Sequence, residues 1–142
     1  MLRLILVWAA LLLGTAAASA QATVQLAPPG QTPNSQVCGS AVSSCVLKAS
    51  SGNLFGVYAN CTSACWVMVF NAIALPSNGA TTAGTASGNL SDCFEVAAGS
   101  SKSLFYVPYP KAFSVGMTVA ISSTACATLT ASSVGFVSGV YK

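Results

Sequence analysis

The chain has no histidine and only two side-chain carboxylates, Asp92 and Glu95. Without histidine, the Ser–His and Cys–His pairs that activate hydrolytic nucleophiles cannot be assembled. A glycosidase needs two carboxyl groups facing each other across a sugar bond. Asp92 and Glu95 stand three apart in DCFEVAA, which reads as a strand, so they point to opposite faces. No glycine-rich loop leads into a helix, so no phosphate cradle is present. Positive charge is sparse as well. Lys48, Lys102, Lys111 and Lys142 are scattered, whereas a nucleic-acid binder shows a basic stripe. No basic amphipathic helix is available for a membrane surface. These absences point to a protein that is not an enzyme and has no cofactor, no metal and no nucleic-acid partner.

Charge is low on both sides while apolar content is high. Charged residues make up 5% of the chain and hydrophobic residues 54%. Freely diffusing proteins carry more charge to keep copies apart, so part of this surface is expected to be covered by a partner.

Residues 1–20, MLRLILVWAALLLGTAAASA, have the three-part layout of an export signal. Arg3 supplies the positive start, Leu4–Leu13 the apolar run, and Ala18-Ser19-Ala20 the cleavage site. The run is short for a spanning helix, and no cysteine follows for lipid attachment. The expected mature chain is Gln21–Lys142, one domain's worth. Its only membrane contact is through the signal before cleavage, and its expected location is the periplasm or the extracellular space.

Six cysteines remain after that cut: Cys38, Cys45, Cys61, Cys65, Cys93 and Cys126. An even number in an exported domain points to disulfides. Six cysteines allow fifteen pairings. Proximity favours Cys38–Cys45 and Cys61–Cys65, leaving Cys93–Cys126 as the long bridge. A zinc site is a weaker reading, because the C-x3-C pair has no histidine and no second close pair to complete it.

Gln21–Val37 is rich in proline, Gln, Asn and Ser, and reads as an extended arm with a short strand at Thr23–Ala27. From Cys38 onward the apolar residues alternate with period two. In WVMVF, Trp66, Met68 and Phe70 share one face, and Val67 and Val69 the other. In GMTVAIS, Met117, Val119 and Ile121 oppose Thr118, Ala120 and Ser122. In SVGFVSGVY, Val134, Phe136 and Val140 alternate with small residues. NLFGVYA and SLFYV behave similarly. No convincing helix follows residue 20. Short strands with frequent turn signals predict an all-β fold: an antiparallel β-sandwich, jelly-roll- or immunoglobulin-like, over 38–142. WVMVF is apolar on both faces and belongs in the middle of a sheet.

Pro76–Asn89 is a long uncharged polar stretch, read as a surface loop or as a contact loop against a neighbouring subunit. In VPYPKAF, two prolines that cannot donate ladder bonds place the segment at an edge or bend. Tyr106, Tyr109 and Phe113 around it are candidate partner contacts, with core packing as the alternative. The sequons Asn60-Cys61-Thr62 and Asn89-Leu90-Ser91 are read as chance.

The pieces NLFGVYA, WVMVFNAIALPSNGA, DCFEVAAGSSKSLFYVPYPKAFSVGMTVAISSTACATLTASS and VGFVSGVY carry a resemblance in order and spacing. They are similar to a group of small, largely uncharacterised proteins from tailed-phage and prophage regions of proteobacteria. Some of that group are taken to be virion-associated structural proteins. The group's two lone cysteines fall on Cys93 and Cys126, which the resemblance implies are paired. The pairs Cys38/Cys45 and Cys61/Cys65 depart from its pattern. No catalytic residue carries over. The resulting expectation is a non-catalytic decoration or surface protein that packs against copies of itself, a virion or a cell-surface protein. An exported chain would meet particles when lysis mixes the compartments. The rival is a secreted ligand-binding module, for carbohydrate or cell-surface adhesion, using Tyr106, Tyr109 or Trp66.

Overall fold

The structure is a computed structural model that describes residues 32–81 and 89–142. The expected signal segment, the short strand at Thr23–Ala27 and residues 82–88 of the long polar stretch lie outside the described residues. The strands are β1 (Asn34–Val42), β2 (Ser44–Lys48), β3 (Gly52–Cys61), β4 (Cys65–Phe70), β5 (Gly79–Ala80) and β6 (Leu90–Val96). They continue with β7 (Ser100–Phe105), β8 (Lys111–Phe113), β9 (Met117–Ser122), β10 (Thr128–Leu129) and β11 (Gly135–Tyr141). Among the described residues there is no helix.

All ladders are antiparallel. One sheet runs β1-β11-β3-β7, with β8 also paired to β3; the other runs β2-β9-β4-β6. β5 and β10 form a separate two-stranded ribbon. The two larger sheets share one core, in which Val57, Ala59 and Val137 of the first meet Leu47, Val67 and Ile121 of the second.

The alternation read in the sequence sets this arrangement. In β4, Val67 and Val69 enter the shared core, while Met68 and Phe70 turn to the opposite face. All four are buried, and β4 lies between β9 and β6, the interior position its two apolar faces call for. The opposite face of this sheet is roofed. Met68, Phe70 and Ala120 pack against Leu129 of β10, with Trp66, Leu75 and Ala131 half-buried around them. Two polar side chains are buried there and both are bonded, as low-dielectric surroundings require. Thr118 Oγ1 donates to the Ala72 carbonyl at 2.8 Å, and Ser122 Oγ accepts from the Thr130 amide at 2.9 Å.

One boundary differs from the sequence reading. β1 begins at Asn34 and pairs with β11 from Asn34↔Tyr141, so the sheet takes in residues assigned to the arm. In β11 the alternation is present, but the small-residue side faces the core. Gly135, Val137 and Gly139 are buried, and Phe136 and Val140 point away. The reason is Leu47, which rises from the opposing sheet into the space over Gly139. A Cβ on Gly139 would stand 2.3 Å from Leu47 Cδ1, closer than any packed carbon tolerates.

Three disulfides are formed, in the arrangement that proximity favours. Cys38–Cys45 ties an edge strand of one sheet to an edge strand of the other, with a Cα–Cα distance of 5.7 Å. Cys61–Cys65 clamps the corner where the chain crosses from β3 to β4, at 6.3 Å. Cys93–Cys126 joins β6 to the β9–β10 connection, at 5.9 Å. No cysteine is free among the described residues. Three disulfides point to an oxidising compartment. Among the described residues no helix is long and apolar enough to cross a membrane.

Candidate functional site

The three aromatics singled out around VPYPKAF do not form one surface. Phe113 is core, 3% exposed, and this corrects its reading as a partner contact. It sits on β8 opposite Gly52, where the strand's alternation turns it inward. Tyr106 is half-buried and closes the side of the molecule where β6 and β8 approach. Its hydroxyl donates to Asp92 Oδ2 at 3.1 Å. Tyr109, 85% exposed, follows the cis Val107–Pro108 bond and stands clear of the fold. Trp66, the other proposed aromatic, packs into the roofed cluster of the second sheet.

Asp92 gathers the polar groups of that closed side. Lys111 Nζ lies 3.4 Å from Asp92 Oδ2 and 5.6 Å from the Tyr106 ring centroid, and it also donates to the Ser91 carbonyl. Asp92 Oδ1 accepts from the Cys93 amide at 2.9 Å. Tyr106 is held above the ordinary tyrosine range, first by burial, then by the Asp92 charge and the hydrogen bond to it. The group links the two sheets, since Asp92 is on β6 and Lys111 on β8. Glu95 projects from the other face of β6 and is exposed, as the three-residue spacing predicted. It borders an open depression at the β6–β7 turn with Ser100 and Lys102. Among the described residues no cluster of His, Cys, Asp or Glu is arranged to hold a metal.

The larger feature is the outer face of the five-stranded sheet. The ladder registers place Ser35 and Val37 of β1, Phe136, Ser138 and Val140 of β11, Tyr58 and Asn60 of β3, and Ser101, Ser103 and Phe105 of β7 on one side. None of these positions is charged. Val37 is 62% exposed, Phe105 49% and Tyr58 36%. Unlike the roofed face of the other sheet, this one keeps much of Val37, Phe105 and Tyr58 accessible among the described residues.

The face is ordered by its own contacts. Tyr58 meets Phe136 edge-on, with ring centroids 5.6 Å apart, a favourable quadrupole geometry. The Tyr58 hydroxyl donates to Ser101 Oγ at 2.9 Å, and Asn60 Nδ2 donates to the same oxygen at 2.9 Å. The Phe105 ring lies over Gly56, where a Cβ would fall 2.7 Å from Phe105 Cδ1. The aromatics are therefore held in place by neighbours within the sheet before any partner arrives, which lowers the ordering cost of binding.

Sequence reasoning missed this face. The available signal was in NLFGVYANC, where Tyr58 and Asn60 share a parity opposed to Val57, Ala59 and Cys61. No family model, no curated protein and no solved structure matches the chain.

Proposed function

We propose that this is a non-catalytic assembly protein, a disulfide-clamped β-sandwich of jelly-roll or immunoglobulin-like type. It packs its uncharged sheet face against copies of itself or against a particle. One observation carries the reading: among the described residues, a pre-ordered, partly aromatic face without charge stays largely exposed on one sheet while the equivalent face of the other is roofed. Burying such a face removes apolar area from water and strands no ion. Interfaces are rich in Tyr and Phe and poor in charge at their centres, and this face shares the aromatics and the lack of charge.

The phage-family resemblance supplies the setting, a decoration or virion-associated protein. Export supplies the disulfides, and lysis would bring the protein to the particle. The test of the assembly reading is Tyr58→Lys. It places a charge at the middle of the face, and self-association measured by sedimentation should weaken at least tenfold while the fold persists. Unchanged association would remove the face from the account. Absence of the protein from purified virions by mass spectrometry would remove the phage setting but not the assembly.

Tyr109 favours a second reading, a carbohydrate- or adhesion-type ligand module. A ring this exposed beside a rigid proline turn offers a stacking platform. Glycan-array binding that vanishes in Tyr109→Ala would favour that reading.

A further inference from the structure

The five-stranded sheet has an edge that is built differently from the others. Sheet edges invite pairing by another chain, and proteins block them with charge, proline or short length. β7 carries Lys102, which points inward with its Nζ 5.8 Å from the Phe94 ring centroid. β8 is three residues long, holds Lys111 and follows Pro108 and Pro110. In the second sheet, β6 carries Asp92 and Glu95, and β2 is five residues long and ends in Lys48. β1 follows Pro33 and shifts register between Cys38 and Val42, but over Asn34–Cys38 it is regular and carries no blocking charge or proline. Its nine residues, NSQVCGSAV, contain neither charge nor proline.

The hydrogen-bond phase shows which groups of β1 are open. Thr62 N donates to Val134 O at 2.8 Å, and Asn53 and Lys142 exchange bonds at 2.8 Å. Both place the even-numbered residues of β11 in bonding contact with β3. The odd-numbered ones, Val137, Gly139 and Tyr141, therefore bond to Cys38, Gln36 and Asn34. Ser35 and Val37 are left with N–H and C=O directed to the open edge, and both are exposed.

We propose that this edge pairs antiparallel with β1 of a second copy, about a two-fold axis near Gln36–Val37, joining two five-stranded sheets into one. The inference rests on the assembly reading and specifies its partner and mode. The occupant is a second copy for two reasons. A two-fold pairing opposes identical segments, which is costly for a charged strand and free of that cost for this one. Even-numbered register sums also keep Ser35 and Val37 of both copies on one side, so the uncharged outer faces become a single continuous surface.

The test uses the purified, disulfide-intact full protein. Amide hydrogen exchange is followed at low and high concentration, alongside sedimentation velocity. The Ser35 and Val37 amides should exchange fast when dilute and slow by at least tenfold when concentrated. Val37→Pro removes an outward N–H that β11 does not use, so the internal ladder stays intact. It should weaken dimerisation at least tenfold. Ser35→Pro, which removes the other outward N–H and adds no charge to the outer face, should do the same and covers the case in which Val37→Pro does not fold. Wild-type-like association of both variants would overturn the edge pairing while leaving the outer-face reading intact. Tyr58→Lys separates the two: it should weaken association beyond the edge dimer, while the concentration-dependent protection of the Ser35 and Val37 amides persists. Protection of Ser35 and Val37 at every concentration would also overturn the pairing, and would assign the edge to the chain's own residues 21–31. A wild-type protein that stays monomeric at all concentrations would overturn both the pairing and the self-assembly.

Discussion

Tyr106 shows how one side chain ties the sheets together. Its ring covers the side between β6 and β8, its hydroxyl is bonded to Asp92, and Lys111 stands against its ring face. Because its phenol is held above the ordinary range, the folded state resists ionisation that the unfolded chain undergoes near pH 10. The stability this contributes is whole below about pH 10 and is lost as pH rises from there toward the folded value. Tyr106→Phe should lose roughly 1 kcal/mol at neutral pH with the hydrogen bond. Its stability should then fall less steeply above about pH 10 than that of the wild type. Urea unfolding at neutral and alkaline pH measures both effects. At this scale the sequence was a partial guide. Spacing favours the Cys pairing that forms and gives the opposed faces of Asp92 and Glu95. The fates of Tyr106, Tyr109 and Phe113 do not, because the prolines between them interrupt the alternation that would have assigned each a side.

At the scale of elements, the bridges differ in what they constrain. Cys93–Cys126 closes a separation of 33 residues and Cys61–Cys65 one of 4. On the chain-entropy model the first contributes about 4 kcal/mol and the second about 2 kcal/mol. Removing each pair as a double alanine variant should therefore shift the denaturant midpoint more for Cys93/Cys126. The reverse order would mean that the buried packing of Cys61 and Cys65, not loop closure, dominates. The strands themselves were legible wherever two large residues alternate, as in WVMVF and GMTVAIS. β11 was harder, because its core side carries two glycines and the space they leave is filled by Leu47 from a distant strand. β1 is illegible as a strand up to Val37, where the sequence reads as arm, since Asn, Ser and Gln carry no strand signal. Its pairing with β11 comes from tertiary contact alone. Context of this kind routinely overrides strand propensity.

At the scale of the whole molecule, the asymmetry between the two sheets matters most. Residues 71–75 and β10 cover one outer face, and the described residues leave the other open. Composition signalled a covered surface through its low charge but could not locate it. Which face stays open depends on where the connecting segments fold, not on any strand's own pattern. The central claim is that this open, uncharged surface of a disulfide-clamped scaffold serves assembly. Sedimentation velocity of the intact protein over a range of concentrations, at low and high sodium chloride, tests it most directly. Salt screens interactions between exposed charges and leaves apolar burial intact. The account predicts association that grows with concentration and is unchanged or strengthened by salt. A single monomeric species throughout, or complexes that dissolve as salt rises, would contradict it.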